Sequence, residues 1–418
     1  MNPIRFSLLS TLVAASAANA AFTSGDLAVV RINGAASKTT DVAGSVSIDV
    51  YSPGNGGGYT LTAAHALSST GPNPFTLTRN TKLHDGILRQ STDGQYLTLG
   101  GYQAAVGAAT YTAASATAPR VVARIDGNYT ADTSTRMTAD FDGVSIEAVA
   151  SVDGSGFWAA GSGNFQNSSG DDAGVSPTGG LRYIPFGGAS ATKIAQQTGG
   201  GSNRAIADSM RNVLIASGQL YVTTASAADA TNPSAYPNRG LYAVGTGLPI
   251  GGTNIVTGLI TNQEGTITDF DTDGKGKPFP KSDCVLLDLN SAIPGVDTAY
   301  STGGKADYQK WIKDSNGVWQ NVFAKGFQVN SVDVGDINTL TAAVNGGAVT
   351  LFAATSTGVY QMADAFGYST DKTPTLGTTP LFAAASGTQF RGIVSLVPEP
   401  ASLAIIGLAG TALLRRKR

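Results

Sequence analysis

Cysteine, histidine and glutamate are nearly missing from this chain. Cys284 is the one cysteine in 418 residues, so an intramolecular disulfide and a cysteine-built metal site are both excluded. Without covalent staples the fold must be held by the size of its core, which a chain of this length can supply. A catalytic thiol would want a histidine beside it, and the chain has two, His65 and His84. Glutamate stands at only Glu147, Glu264 and Glu399, and charged residues make up 13% of the whole. A chain this poor in Glu and Lys lacks the polar faces of amphipathic helices. Its formal net charge of −2 provides no phosphate-binding surface, so nucleic acid is not an expected partner.

Glycine is abundant instead, with 53 copies, alongside much Ser, Thr, Ala and Val. That mixture favours strands joined by tight turns. One unit recurs: a polar residue and Gly, then an aromatic or apolar strand. Instances are Asp93-Gly94 before Tyr96-Leu97-Thr98-Leu99, Asp153-Gly154 before Phe157-Trp158, Ser217-Gly218 before Leu220-Tyr221-Val222, Asn316-Gly317 before Val318-Trp319, Asn345-Gly346 before Val349-Thr350-Leu351, and Thr357-Gly358 before Val359-Tyr360. Asx-Gly pairs supply the positive φ angles of two-residue hairpin turns. The reading is an all-β chain forming a single β-propeller of about seven blades, at about 45–55 residues per blade. Such a ring needs closing, and residues 26–33 (DLAVVRIN) and 390–397 (FRGIVSLV) are suitable partners. Tandem open sandwiches are the rival arrangement.

Both ends read as address labels. Arg5, an apolar stretch over residues 6–18 and Ala18-Asn19-Ala20 form a signal peptide, residues 1–20. The C-terminal segment, residues 397–418, carries Pro398-Glu399-Pro400, an apolar run over 401–414, and the basic end Arg415-Arg416-Lys417-Arg418. As a helix at about 1.5 Å per residue the apolar run is about 21 Å long. It is short for a bilayer core of about 30 Å and would span only with local thinning and snorkelling of the terminal cations. Those cations belong on the cytoplasmic side, which places residues 21–396 outside.

This tripartite end resembles the PEP-CTERM sorting signal of Gram-negative bacteria. The resemblance implies recognition of Pro398, Glu399 and Pro400 by an inner-membrane exosortase and removal of the helix. The chain between the two labels also resembles an uncharacterised group of secreted bacterial proteins with a propeller-like fold. The residues carrying that likeness include Ser91-Thr92-Asp93-Gly94-Gln95-Tyr96, Phe157-Trp158-Ala159-Ala160-Gly161, Ile293-Pro294-Gly295-Val296-Asp297 and Gln309-Lys310-Trp311. It implies fold and export and no particular chemistry.

Candidate chemistry is sparse. Leu61-Thr62-Ala63-Ala64-His65 resembles the histidine motif of trypsin-like proteases, yet no matching serine motif follows, and Asp153-Gly154-Ser155-Gly156 falls in an expected hairpin. No Gly-x-Ser-x-Gly elbow is present. Asp269, Asp271 and Asp273 before Gly274 match the first half of a calcium loop, but Pro280 stands where a bidentate Glu is needed. Calcium is therefore the one cofactor the sequence brings up, against a plain solvated loop. Asp171-Asp172 sits in a Gly/Ser-rich turn. Trp158, Trp311 and Trp319 offer either packing between blades or platforms for stacking sugars. No complete catalytic constellation emerges. The expectation is an exported, non-catalytic surface or matrix protein, transiently anchored in the inner membrane, with an exopolysaccharide as partner. The alternatives are a propeller hydrolase or lyase acting on polysaccharide or lactone, and a calcium-dependent binding module.

Overall fold

The computed structural model describes residues 22–397, apart from 38, 81–84, 162–177, 195–209, 226–238, 253, 255, 262–282, 303–306, 327, 330–331, 334–336, 370–374 and 378. The signal peptide, His84, Asp171, Asp172, Glu264, Asp269, Asp271, Asp273, the Pro398-Glu399-Pro400 motif and the basic tail lie outside the described residues. Among the described residues there are strands and no helix, in a β-propeller arrangement.

The chain begins with β1 (Leu27–Asn33), β2 (Ala43–Pro53), β3 (Tyr59–Ala66), β4 (Thr76–Thr78), β5 (Leu88–Gln90), β6 (Leu97–Tyr102), β7 (Arg120–Ile125) and β8 (Ala131–Met137). Three four-stranded meanders follow. The first is β9 (Ile146–Ala150), β10 (Gly156–Gly161), β11 (Gly180–Pro185) and β12 (Thr192–Lys193). The second is β13 (Met210–Ala216), β14 (Gln219–Ala225), β15 (Arg239–Val244) and β16 (Val256–Thr261). The third is β17 (Asp283–Leu287), β18 (Thr298–Thr302), β19 (Asp307–Lys313) and β20 (Trp319–Gly326). A small ribbon, β21 (Gln328–Val329) with β22 (Val332–Asp333), precedes a fourth blade of β23 (Ile337–Asn345), β24 (Ala348–Thr355), β25 (Gly358–Asp364), β26 (Thr375–Leu376) and β27 (Phe382–Ala383). The last strand, β28 (Thr388–Ser395), returns to the start and pairs antiparallel with β1, from Leu27 opposite Ser395 to Asn33 opposite Thr388. The two closing segments read from the sequence are therefore partners. β28 joins β1–β8 in one nine-stranded sheet, in which β28-β1-β2-β3 and β5-β6-β7-β8 form two consecutive runs.

Strands β5, β9, β13, β17, β23 and β28 touch one another in that cyclic order, lining a central axis. Six clusters of buried apolar side chains fill the spaces between successive sheets. They run from Val30, Ile48 and Leu99 through Phe141 and Phe157, Trp158 and Val222, Trp311 and Leu241, and Leu340 and Tyr308, to Val29 and Phe352. Strands covered on both faces lose the alternation of buried and exposed residues, as Ile146–Ala150 does, with all five residues buried.

The turn chemistry follows the sequence. Ser217 at φ 46° and Gly218 at φ 71° both occupy the left-handed region, which is the two-residue turn that suits the right-handed twist of β13 and β14. Gly101 answers a different need: a Cβ there would stand 2.4 Å from the Phe75 ring. Asp93, Asp126, Asp153 and Asp314 each accept backbone N–H bonds from residues two to four positions ahead, closing their turns.

One buried cation organises the longest described connection. Arg120, 0% exposed, uses all five of its donors on backbone carbonyls of Tyr111, Ala113, Ala118 and Val144. Burial lowers its pKa. Its neighbour Asp41 works the other way round. That carboxylate accepts bonds from the amides and hydroxyls of Thr110 and Thr112, which hold its pKa below the usual range against the opposing effect of burial.

Arg120→Met orphans these carbonyls and should lower unfolding stability by about 3–5 kcal/mol in urea titrations, the cost of stripping a partner from a buried charged network. Ile393→Ala, in the closing strand and fully buried, should cost about 2–5 kcal/mol by the same measurement. An Ile393→Ala loss below 1 kcal/mol would show that the closure bears little of the stability.

Candidate functional site

The six inner strands carry an unusual load. Arg89 lies on β5, Glu147 on β9, Arg211 and Asn212 on β13, Asp283 on β17, Thr339 on β23 and Arg391 on β28. Most stand in the first half of their strand, so they gather toward the end of the axis where the inner strands begin. We call this end the entry face, and the end where the inner strands finish the exit face. Asp85, just ahead of β5, joins them.

Arg89 reaches across the ring. Its guanidinium bonds the Asp283 carboxylate on β17, three positions away in the cycle of six and hence diametrically opposite. The same Nη2 donates to Asn212 Oδ1 at 3.0 Å, and Asn212 Nδ2 donates to Asp283 Oδ1 at 2.8 Å. Asp283 also accepts the amides of Cys284 at 2.7 Å and Leu340 at 2.8 Å, so one carboxylate ties β5, β13, β17 and β23 together. A register shift between Met210 and Asn212 marks a bulge in β13. The bulge sends Arg211 to Glu147 on β9 at 2.5 Å while Asn212 engages Asp283. Arg391 on β28 lies 3.6 Å from Asp85 and donates to the carbonyls of Thr78 and Asn80.

The electrostatics are those of groups removed from water. Asp283, Glu147, Asp85 and Arg391 have fully buried side chains, while Arg89 and Arg211 keep 15% and 21% exposure. Desolvation raises the Asp283 carboxyl, opposed by Arg89. Asp85 is pushed up to about 6, first by burial, with Arg391 and the Thr78 amide opposing and Glu147 and Asp41 adding to the rise. Burial likewise raises the Cys284 thiol. Each of the three central carboxylates thus has its own guanidinium. At the entry face the axis is lined by paired charges. Among the described residues no group of three or more His, Cys, Asp and Glu is placed to hold a metal ion.

A second charged core lies between the β17–β20 and β23–β27 sheets. Lys310 Nζ is 2.7 Å from Asp364 Oδ2, both side chains are fully buried, and Tyr300 donates its hydroxyl to the same oxygen at 2.7 Å. The tyrosine is raised by burial and by that carboxylate.

The residues singled out from the sequence sit elsewhere. Trp158, Trp311 and Trp319 are buried between sheets, at 5%, 1% and 4% exposure. Trp158 donates to the Pro249 carbonyl at 2.7 Å and Trp311 to Gln309 Oε1 at 3.0 Å. His65 lies on the outer strand β3, stacked on Tyr129 with ring centroids 4.2 Å apart, whereas Cys284 lies on inner strand β17. Asp153-Gly154-Ser155-Gly156 is the β9–β10 hairpin, where Asp153 accepts the Ser155 hydroxyl at 2.6 Å. The central residues carried one overlooked signal. In a chain with three glutamates, one stands inside the apolar run Ile146-Glu147-Ala148-Val149-Ala150, and Asp283 and Arg89 likewise border apolar runs.

Because the folded Asp85 holds its proton up to about pH 6 and the unfolded one only to about 3.8, its contribution to stability is complete below about pH 4 and is lost as pH rises to about 6. The loss is at most about 3 kcal/mol. Urea midpoints measured from pH 4 to 7 should therefore fall more steeply in the parent chain than in Asp85→Asn. Parallel slopes would remove Asp85 as the titrating group.

No family model and no curated protein matches this chain. Solved structures do show similarity at low identity. The parainfluenza virus 5 hemagglutinin-neuraminidase ectodomain is 9% identical with a TM-score of 0.42, over 84% of this chain and 76% of that one. Apo AztD from Citrobacter koseri is 8% identical with a TM-score of 0.35, over 89% and 97%. The Cps50 (Swd1) β-propeller domain of Myceliophteria thermophila is 11% identical with a TM-score of 0.34, over 70% and 71%.

Proposed function

We propose that this chain is an exported, non-catalytic propeller of six blades that serves as a scaffold or recognition module in an exopolysaccharide-rich surface layer. The blade number rests on the six inner strands and six inter-sheet clusters, one blade fewer than chain length suggests. The observation that carries the functional reading is the pairing at the axis. Asp85, Glu147 and Asp283 are each spent on a guanidinium from an inner strand, which supports reading the axis as a structural tie between blades over a site of proton transfer. Recognition then falls to the entry face. The described strand ends that flank residues 162–177, 195–209, 226–238 and 262–282 all lie there. Varied segments on a rigid scaffold are the usual carriers of binding.

Export rests on the two terminal labels. In this reading the signal peptide is removed after Ala20, the exosortase recognises Pro398, Glu399 and Pro400, and residues 401–414 insert in the inner membrane until the tail is cut. Among the described residues no helix is long and apolar enough to cross a membrane.

One observation favours the hydrolase or lyase reading as a second choice: three carboxylates do converge on the axis. Glu147→Gln separates the two, since it would abolish turnover of a polysaccharide but leave glycan binding unchanged. Intact mass of the protein from membrane and medium tests the sorting. A mass lacking residues 1–20 and the C-terminal tail is expected in the medium, and a full-length mass there would overturn the proposal.

A further inference from the structure

The exposed large apolar side chains are not scattered. Of the seven with substantial exposure among the described residues, Leu61, Ile250, Val318, Val344, Phe366 and Val397 lie toward the exit face, and Val106 lies at the entry face. The topology fixes this placement. Val344 precedes the β23–β24 hairpin, Val318 is in the β19–β20 turn, and Ile250 and Phe366 follow the ends of β15 and β25. Leu61, opposite Tyr51 near the start of β3, belongs to the rim of the same face.

The chain leaves the ring on this face and close to its axis. β28 is an inner strand, and Val397 just beyond it is clamped to inner strand β5: its N–H donates to Gln90 Oε1 at 3.0 Å, and Gln90 Nε2 donates to its carbonyl at 2.9 Å. Leu396 is held in turn by the Asp26 carbonyl at 2.9 Å and the Gly25 amide at 3.1 Å. Only residues 398–400 separate this clamp from the apolar run that begins at Ala401. At about 3.3–3.6 Å per residue those four steps reach at most about 14 Å.

We propose that the exit face is a membrane-apposed surface: before processing, the ring stands on the bilayer with its axis near the membrane normal, Ile250, Val318, Val344 and Phe366 touching lipid, and the entry face turned outward. This rests on the reading of residues 401–414 as membrane-inserted. A tether at the rim would let the ring swing away, whereas a short tether at the axis brings every hairpin of the face down together. The lipid is zwitterionic. The turn carboxylates Asp93, Asp126, Asp153 and Asp314 stand on the same face and repel anionic headgroups, with Lys313 nearby already donating to the Pro294 carbonyl.

The single native cysteine, buried with a raised pKa, leaves introduced thiols as the ones that label. Full-length Phe366→Cys, Val318→Cys and Val106→Cys, each carrying an NBD fluorophore, would be placed in phosphatidylcholine nanodiscs containing headgroup-nitroxide lipid. Quenching is expected to be several-fold stronger at positions 366 and 318 than at 106, and to weaken when phosphatidylglycerol is added. Inserting a twenty-residue Gly/Ser linker after Val397 should erase the difference. Equal quenching at all three positions in chains that co-purify with the discs would overturn the apposed face while leaving the anchor intact. Chains that fail to enter the discs at all would overturn both the anchor and this inference. Far-UV circular dichroism on each labelled chain confirms that the fold is kept.

Discussion

The antiparallel register of β28 against β1 joins the two ends of the described chain, and with no disulfide available that seam is closed by ladder hydrogen bonds and packing alone. The two apolar clusters that take residues from both strands depend on it directly. A propeller blade buries its faces only against its neighbours, so an open ring would expose two apolar faces at once. The last strand lies innermost in the first blade, and β28 is buried from Gln389 to Ser395. The same choice fixes where the chain departs, at the axis and on the face where the inner strands end.

Closure brings six inner strands together, and their inward residues must share a narrow axis. The chain meets this with ion pairs instead of packed aliphatics. Buried pairs give little net stability against a hydrophobic equivalent, because desolvation offsets most of the attraction. A blade out of register would leave Asp283, Glu147 or Asp85 buried without its guanidinium, at a cost of about 3–5 kcal/mol. Arg89 is the clearest instance, because it joins strands on opposite sides of the ring. Asn212 shares the same carboxylate, and the β13 bulge lets Arg211 and Asn212 serve different neighbours.

The result is a ring with two unlike faces. Short Asx-closed hairpins and most of the exposed apolar side chains mark the exit face, and the longer connections start and finish at the entry face. That division follows from direction alone: all six inner strands run the same way, so their short hairpins collect at one end. The proposed scaffold and the proposed lipid contact are two consequences of this one polarity.

Much of this was legible in the residues themselves. A polar residue and Gly ahead of an apolar strand located the hairpins at 93–94, 153–154, 217–218, 316–317 and 345–346, because positive φ is a local property that glycine advertises. The closing partners were legible too, as two apolar β segments, residues 26–33 and 390–397. The Arg89–Asp283, Arg211–Glu147 and Arg391–Asp85 pairs were not, since each joins residues brought together only by ring closure and charge in a strand carries no record of its partner. Connection lengths vary from two residues to more than twenty, so chain length divides unevenly among the blades and does not fix their number. The sequence by itself determined an all-β chain and its turns, because these depend on neighbouring residues. Only the tertiary structure decided which charges meet at the axis and which face the tail leaves from, because both depend on the direction and order of strands around a closed ring.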